Sequence, residues 1–146
     1  MKIAIASDHG GFKLKEALRS QIPHIEWIDL GCDSEASVDY PDFAEKAANA
    51  VQEHLAERAI IICGTGIGIS IAANKMNGIR AALVHDEFTA EMARRHNDAN
   101  VLALGARVLG EELAVKLTKI FIETPFEGER HQRRLDKIAL LEQKNS

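Results

Sequence analysis

The stretch from Ala59 to Lys75 constrains this chain more than any other. It reads Ala59-Ile60-Ile61-Ile62-Cys63-Gly64-Thr65-Gly66-Ile67-Gly68-Ile69-Ser70 and continues Ile71-Ala72-Ala73-Asn74-Lys75. An unbroken apolar run rich in β-branched residues is a strand buried on both faces, because a strand with one wet face would alternate. The glycines after it make a tight strand-to-helix turn in which backbone can approach a ligand closely. The first N–H groups of the next helix point outward without partners. Such a turn is an anion site. Cys63 is delivered to the same loop, where the helix dipole favours its thiolate and apolar burial opposes it. The competing reading makes Cys63 one more small residue of the core.

The rest of the chain repeats this alternation. Strands are expected at Lys2 to Ser7, Ile25 to Leu30, Arg80 to Val84 and Asn100 to Leu104. Helices are expected from Phe12 to Ser20, and from Pro41 at N1 to about Glu57 with Phe43, Ala44, Ala47, Ala48, Val51 and Leu55 as the inner stripe. The helix after Cys63 should run through Lys75 and close on Asn77-Gly78 as a C-cap. Further helices are expected from Glu87 to Arg95, from Glu111 to Glu123, and from Gly128 to Gln143, the last amphipathic with Leu135, Ile138 and Leu141 on one side.

Strands alternating with helices mean βαβ units. The expected fold class is α/β: three layers, α/β/α, with a Rossmann-like five-stranded parallel sheet, helices on both faces and a C-terminal helix. At 146 residues, positions 1–146 should form a single domain. In such sheets ligands bind beyond the carboxyl ends of the strands, where the strand order reverses. If the first and third strands are neighbours, the loop Ser7-Asp8-His9-Gly10-Gly11 flanks that crevice together with the Cys63 loop.

Several functions are disfavoured. A formal charge of −4 argues against a nucleic-acid surface, and two cysteines, Cys32 and Cys63, make no disulfide framework. No apolar run nears the roughly 20 residues of a membrane span, and Asp8 arrives too early for a signal peptide, so the cytoplasm is the default. The spacing from Gly64 puts Ile69 where a dinucleotide fingerprint needs its third glycine, and the nearest lysine, Lys75, lies too far on for a P-loop. The six histidines show no metal-ligand spacing. Two basic clusters remain. Arg94-Arg95-His96-Asn97-Asp98 precedes the fifth strand, while Arg130 and Arg134 lie one helical turn apart, able to grip a phosphate or simply to be a solvated basic turn.

Taken together, Asp8-His9, Asp39-Tyr40-Pro41, the run from Cys63 to Ser70 with Ala72-Ala73-Asn74-Lys75, His96-Asn97-Asp98-Ala99-Asn100-Val101-Leu102, Gly105-Ala106-Arg107, and Gly128 through Arg134 resemble the type B ribose-5-phosphate isomerase family. That family includes galactose-6-phosphate and allose-6-phosphate isomerases, and the resemblance runs from Ile3 to about Glu142. It implies an aldose–ketose isomerase in pentose phosphate metabolism that interconverts ribose 5-phosphate and ribulose 5-phosphate, with no cofactor and no metal. By resemblance, Cys63 moves the proton between C1 and C2, and the backbone of Gly64, Thr65, Gly66, Ile67 and Gly68 holds the enediolate. Thr65 helps to relay protons between the oxygens, and His96 opens the furanose ring. Asp8, His9, Tyr40 and Asn97 face the sugar, while Arg107, Arg130 and Arg134 lie at the phosphate end. Galactose-6-phosphate isomerase subunits often lack a histidine at the position of His96, so His96-Asn97 favours a pentose. A branch that places a glutamate in the glycine loop has no counterpart here near Ile71.

Geometry adds an expectation. His96 lies just before a strand and Cys63 just after one, so a five-residue strand at about 3.3 Å per residue parts them by roughly 16 Å. One copy does not then close the site, and His96, with some of the arginines, is expected from a second copy across a two-fold interface, in a homodimer or dimer of dimers. Two alternatives stay open: the same chemistry on a six-carbon sugar phosphate, decided around Tyr40 and the Cys32 to Asp39 loop, or a non-enzymatic ligand or redox sensor on the same fold.

Overall fold

The computed structural model describes residues 1–145. Its elements, in chain order, are β1 (Lys2–Ser7), α1 (Phe12–Gln21), β2 (Glu26–Asp29), α2 (Tyr40–Gln52), β3 (Arg58–Cys63), α3 (Ile67–Ala73), β4 (Ala81–Leu83), α4 (Glu87–Arg95), β5 (Val101–Gly105), α5 (Glu111–Glu123) and α6 (Arg130–Lys144). The strands form one sheet in the order β2-β1-β3-β5-β4, parallel throughout. The order reverses between β1 and β3, whose register pairs Ser7 with Ile62.

Alternate residues of the three central strands supply two unlike cores. Ile3, Ile5, Ile60, Ile62, Leu102 and Leu104 pack on one side with Leu14 and Leu18 of α1 and Leu117 and Phe121 of α5. Ala4, Ala6, Ile61, Cys63, Val101 and Ala103 pack on the other with Ala44, Ala47 and Ala48 of α2 and Ile69 and Ala73 of α3. Both sets are withdrawn from solvent, which is why the strands read as continuous apolar runs rather than alternating ones. Alanines on sheet and helix alike let α2 lie close to the strands. The sheet is therefore the middle of three layers, as expected.

One charge is buried in this packing. Lys15 of α1 is fully buried, its ammonium 2.9 and 3.0 Å from the two carboxylate oxygens of Asp29 on β2 and 2.8 Å from Glu16. Burial is tolerable because the charge is paired.

Two helices end earlier than their patterns predict. α2 stops at Gln52 rather than about Glu57, and Leu55, expected in its inner stripe, is exposed. His54 takes a positive φ of 59°, and Glu57 then donates its N–H to the Lys2 carbonyl, drawing the chain into β3. α3 stops at Ala73, with Asn74 as its cap in place of Asn77-Gly78. The Asn74 side chain accepts the Ala81 N–H and donates to the Ala81 carbonyl, so it stitches the helix end to β4. In α6 only Leu135 of the expected apolar side is buried; Ile138 and Leu141 are exposed, as is Leu140. No helix among the described residues is long and apolar enough to cross a membrane.

Candidate active site

The Cys63 loop takes its shape from its own backbone. Cys63 ends β3, 5% exposed, and its Sγ accepts a hydrogen bond from the Gly66 N–H at 3.2 Å. That bond requires Gly66 to sit at φ 80°, ψ −13°, a left-handed conformation suited to glycine. A Cβ there would also lie 2.9 Å from the Leu104 carbonyl carbon and 2.6 Å from Leu83 Cδ1. The Thr65 hydroxyl oxygen accepts the Ile67 N–H at 3.2 Å, leaving its own hydrogen free to donate.

The β1 loop closes against this one. Asp8 is buried, and its Oδ1 accepts the N–H groups of Gly10 and Gly11 at 2.9 and 3.2 Å, a cap that leaves Oδ2 unengaged by these bonds. A Cβ on Gly10 would be 3.5 Å from the Gly64 nitrogen, which shows how closely the two loops meet. His9 Nδ1 accepts the Val38 N–H at 3.2 Å, tying the β1 loop to the segment before α2 and leaving Nε2 as the nitrogen that carries hydrogen. Tyr40 reaches the same place from α2: a Cβ on Gly68 would stand 2.6 Å from Tyr40 Cζ. Arg107, in the loop after β5, donates its N–H to the Gly64 carbonyl at 2.9 Å, and its guanidinium lies over Gly64. Asp8, His9, Tyr40, Cys63, Gly64, Thr65, Gly66, Ile67, Gly68 and Arg107 thus gather at the carboxyl edge of the sheet.

His96, Asn97, Arg130 and Arg134 do not join them. His96 caps the C-terminus of α4, and Asn97 follows it on the opposite edge of the sheet, where Asn97 accepts a hydrogen bond from Arg80. Cys63 pairs with Gly105 at the far end of β5, so the length of that strand lies between the two groups, about 16 Å at 3.3 Å per residue. The His96 ring stacks on His131 of α6 with centroids 4.2 Å apart and planes inclined by 13°. His131 is 5% exposed, and its Nε2 is 3.4 Å from Glu127 Oε1. Burial, followed by His96 and Arg130, lowers the His131 pKa from its ordinary value, and Glu127 opposes the shift.

His96, Glu127 and His131 bring their ligand atoms within 4.8 Å of one another. They do not suit a metal ion as arranged. An imidazole ligand points its lone pair along its own ring plane. Two rings stacked nearly parallel hold those planes apart, so no single ion lies in both.

Nothing in the sequence gives His131 or Glu127 a role. His131 stood within a basic run, and nothing local marks it as the residue that faces His96. A model of the ribose/galactose isomerase family matches residues 3–138. The chain belongs to that family. It is 44% identical to ribose-5-phosphate isomerase B of Escherichia coli over 147 residues, 99% of each chain. Its fold superposes on ribose-5-phosphate isomerase B of Clostridium thermocellum with a TM-score of 0.98 and 49% identity, covering 100% of both chains. It also matches the Mycoplasma genitalium enzyme solved with bound ribulose-5-phosphate at a TM-score of 0.93 and 43% identity, covering 98% of this chain and 97% of that one.

Proposed function

We propose that this chain interconverts ribose 5-phosphate and ribulose 5-phosphate, with Cys63 as the base. The observation that carries the proposal is the Cys63 sulfur held by the Gly66 N–H at the strand-order switch, between two glycine-bearing loops. The names of its relatives support the substrate.

The reaction moves a proton between neighbouring carbons. The thiolate takes the proton from C2 of the open aldose, the electron pair forms the C1–C2 double bond, and negative charge gathers on O1. The proton then returns to C1, and the hydrogen on O2 passes to O1 by way of the Thr65 hydroxyl. The glycine-loop N–H groups other than those of Gly66 and Ile67, which bond Cys63 and Thr65, stabilise the charge, each such donor contributing roughly 3 kcal/mol. Asp8 accepts from a sugar hydroxyl, His9 donates through Nε2, and Tyr40 closes the sugar side. Arg107 binds the phosphate.

His96 opens the furanose, and it comes, with Asn97, Arg130 and Arg134, from a second copy of the chain. Exposed Ile67 and Ile71 beside the glycine loop, and Ile138, Leu140 and Leu141 on α6, offer apolar surface for that association. Homodimerisation thereby completes the site.

Isomerisation of ribose 5-phosphate measured on wild type and Cys63→Ala tests the chemistry, with allose 6-phosphate run alongside. Loss of turnover in the variant supports Cys63 as base; a faster reaction of the hexose phosphate overturns the substrate. Mixed dimers of Cys63→Ala and His96→Ala chains test the shared site. One intact site per mixed dimer should restore activity, and no recovery refutes the two-copy arrangement.

A further inference from the structure

The ring-opening imidazole lacks the usual device for aiming one. A histidine acting as acid or base is generally oriented by a hydrogen bond to its second nitrogen, from a carboxylate or a carbonyl. Among the described residues no hydrogen bond holds the His96 ring, and its one ring contact is the stack on His131. His131 differs in its burial, although its Nε2 makes no hydrogen bond either. It is buried near the start of α6, its backbone N–H bonds the Gly128 carbonyl at 3.1 Å, and its Nε2 faces Glu127. Glu127 is held in turn: its N–H bonds the Arg95 carbonyl at 3.0 Å, and its carboxylate lies 3.7 Å from the Arg95 guanidinium, which also pairs with Glu91.

We propose that His131 is the positioning residue for His96, its buried, stacked ring serving as the surface against which the His96 imidazole is aimed at the sugar. The proposal rests on the ring-opening role given to His96 above. In that step imidazolium gives a proton to the ring oxygen as the C1–O bond breaks. The anomeric hydroxyl then returns a proton to the imidazole as the C1 carbonyl forms, so no proton is gained or lost overall. His96 must therefore carry charge for part of the cycle, and a neighbour that stayed cationic would oppose it. Burial first, then His96, Arg130 and Arg134, disfavour charge on His131, and Glu127 opposes them. The stack thus sets against His96 a ring whose own charge is disfavoured.

The experiment compares His131→Ala, which removes the stack, with His131→Phe, which keeps a flat ring and removes both nitrogens. Two quantities are read: kcat for ribose 5-phosphate, and the affinity of an acyclic four-carbon phosphohydroxamate that mimics the enediolate and has no ring to open. His131→Ala should lower kcat roughly 10- to 100-fold, the scale of a misaimed catalytic group, while hydroxamate affinity is unchanged. His131→Phe should keep most of the wild-type kcat. Wild-type turnover in His131→Ala overturns the proposal, as does a parallel loss of hydroxamate affinity, which would mark a collapsed site. So does a His131→Phe variant as slow as His131→Ala. His96→Ala separates the two readings: full turnover in that variant removes the ring-opening role itself, whereas slow turnover there with a normal His131→Ala refutes the positioning alone.

Discussion

Substituting alanine for Gly66 tests the geometry that sets Cys63 in place. Two costs apply. A residue with a Cβ at φ 80° meets left-handed strain of about 1–2 kcal/mol. The Cβ would also stand 2.9 Å from the Leu104 carbonyl carbon and 3.1 Å from the Gly105 nitrogen, backbone atoms of a central strand that cannot step aside. Overpacking of that kind costs about 1–3 kcal/mol. The gain from a less flexible unfolded chain offsets at most about 1 kcal/mol. The expected loss is about 2–4 kcal/mol, a fall in Tm of roughly 5–15 °C at this chain size. Two other glycines separate the causes. Gly78 has φ 76° with nothing within 4 Å of an added Cβ, so Gly78→Ala should show the backbone strain alone. Gly110 has neither positive φ nor a close neighbour but caps α5, so Gly110→Ala should cost only the weaker cap, up to about 1 kcal/mol. Thermal unfolding followed by circular dichroism reads all three. A Gly66→Ala protein no less stable than Gly78→Ala would refute the crowding argument. Turnover should fall as well, because a shifted loop loosens the Gly66 N–H from the Cys63 sulfur it holds.

The buried ammonium of Lys15 predicts an asymmetry between its partners. Asp29→Ala leaves the buried ammonium with Glu16 as its single carboxylate partner and should cost about 3 kcal/mol in urea unfolding, whereas Lys15→Met leaves only part-exposed carboxylates and should be nearly neutral. Equal losses would refute this account. His131 predicts a pH dependence. Because its folded pKa is lowered, the unfolded chain binds that proton more readily. The contribution to stability is therefore complete above the unfolded imidazole value of about 6.5 and is lost as pH falls below it. Tm measured from pH 7.5 down to 5.5 should decline less steeply in His131→Phe, and an unchanged slope would refute the assignment.

How much of this was legible in the sequence depended on whether a feature was local. Ile60-Ile61-Ile62 announced a strand with two buried faces, and Gly66 announced the turn that presents Cys63; both follow from neighbours along the chain. The ends of α2 and α3 did not. Val51 and Leu55 continue a helical stripe, yet the chain turns at His54 because Glu57 must reach Lys2, a bond formed with a different strand. Asn74 ends its helix by bonding Ala81, again across the fold. The neighbour relation of β1 and β3 could be guessed as a condition of the switch point, and it holds. The stack of His96 on His131 could not be guessed, since two histidines on separate helices carry no spacing that joins them.

The placement of the arginines proposed to bind phosphate at the two edges of the sheet leads to a last prediction. Arg107 stands over Gly64 beside Cys63, while Arg130 and Arg134 belong to the helix that carries His131. In the proposed two-copy site one phosphate would be held by arginines of both protomers, so the substrate itself would become part of the interface. Linkage then requires that a ligand which binds only the assembled site strengthen assembly by the same free energy with which assembly strengthens its binding. For each site, ligand at 100 times its Kd should favour the dimer by about 2.7 kcal/mol, roughly a 100-fold fall in the protomer dissociation constant. Sedimentation equilibrium with and without the acyclic phosphohydroxamate measures that constant. An Arg130→Ala and Arg134→Ala double variant should lose the effect, since its ligand would contact one protomer's arginine only. A dissociation constant indifferent to the ligand in the wild-type chain would mean that each copy binds phosphate unaided, and the shared site would fall with it.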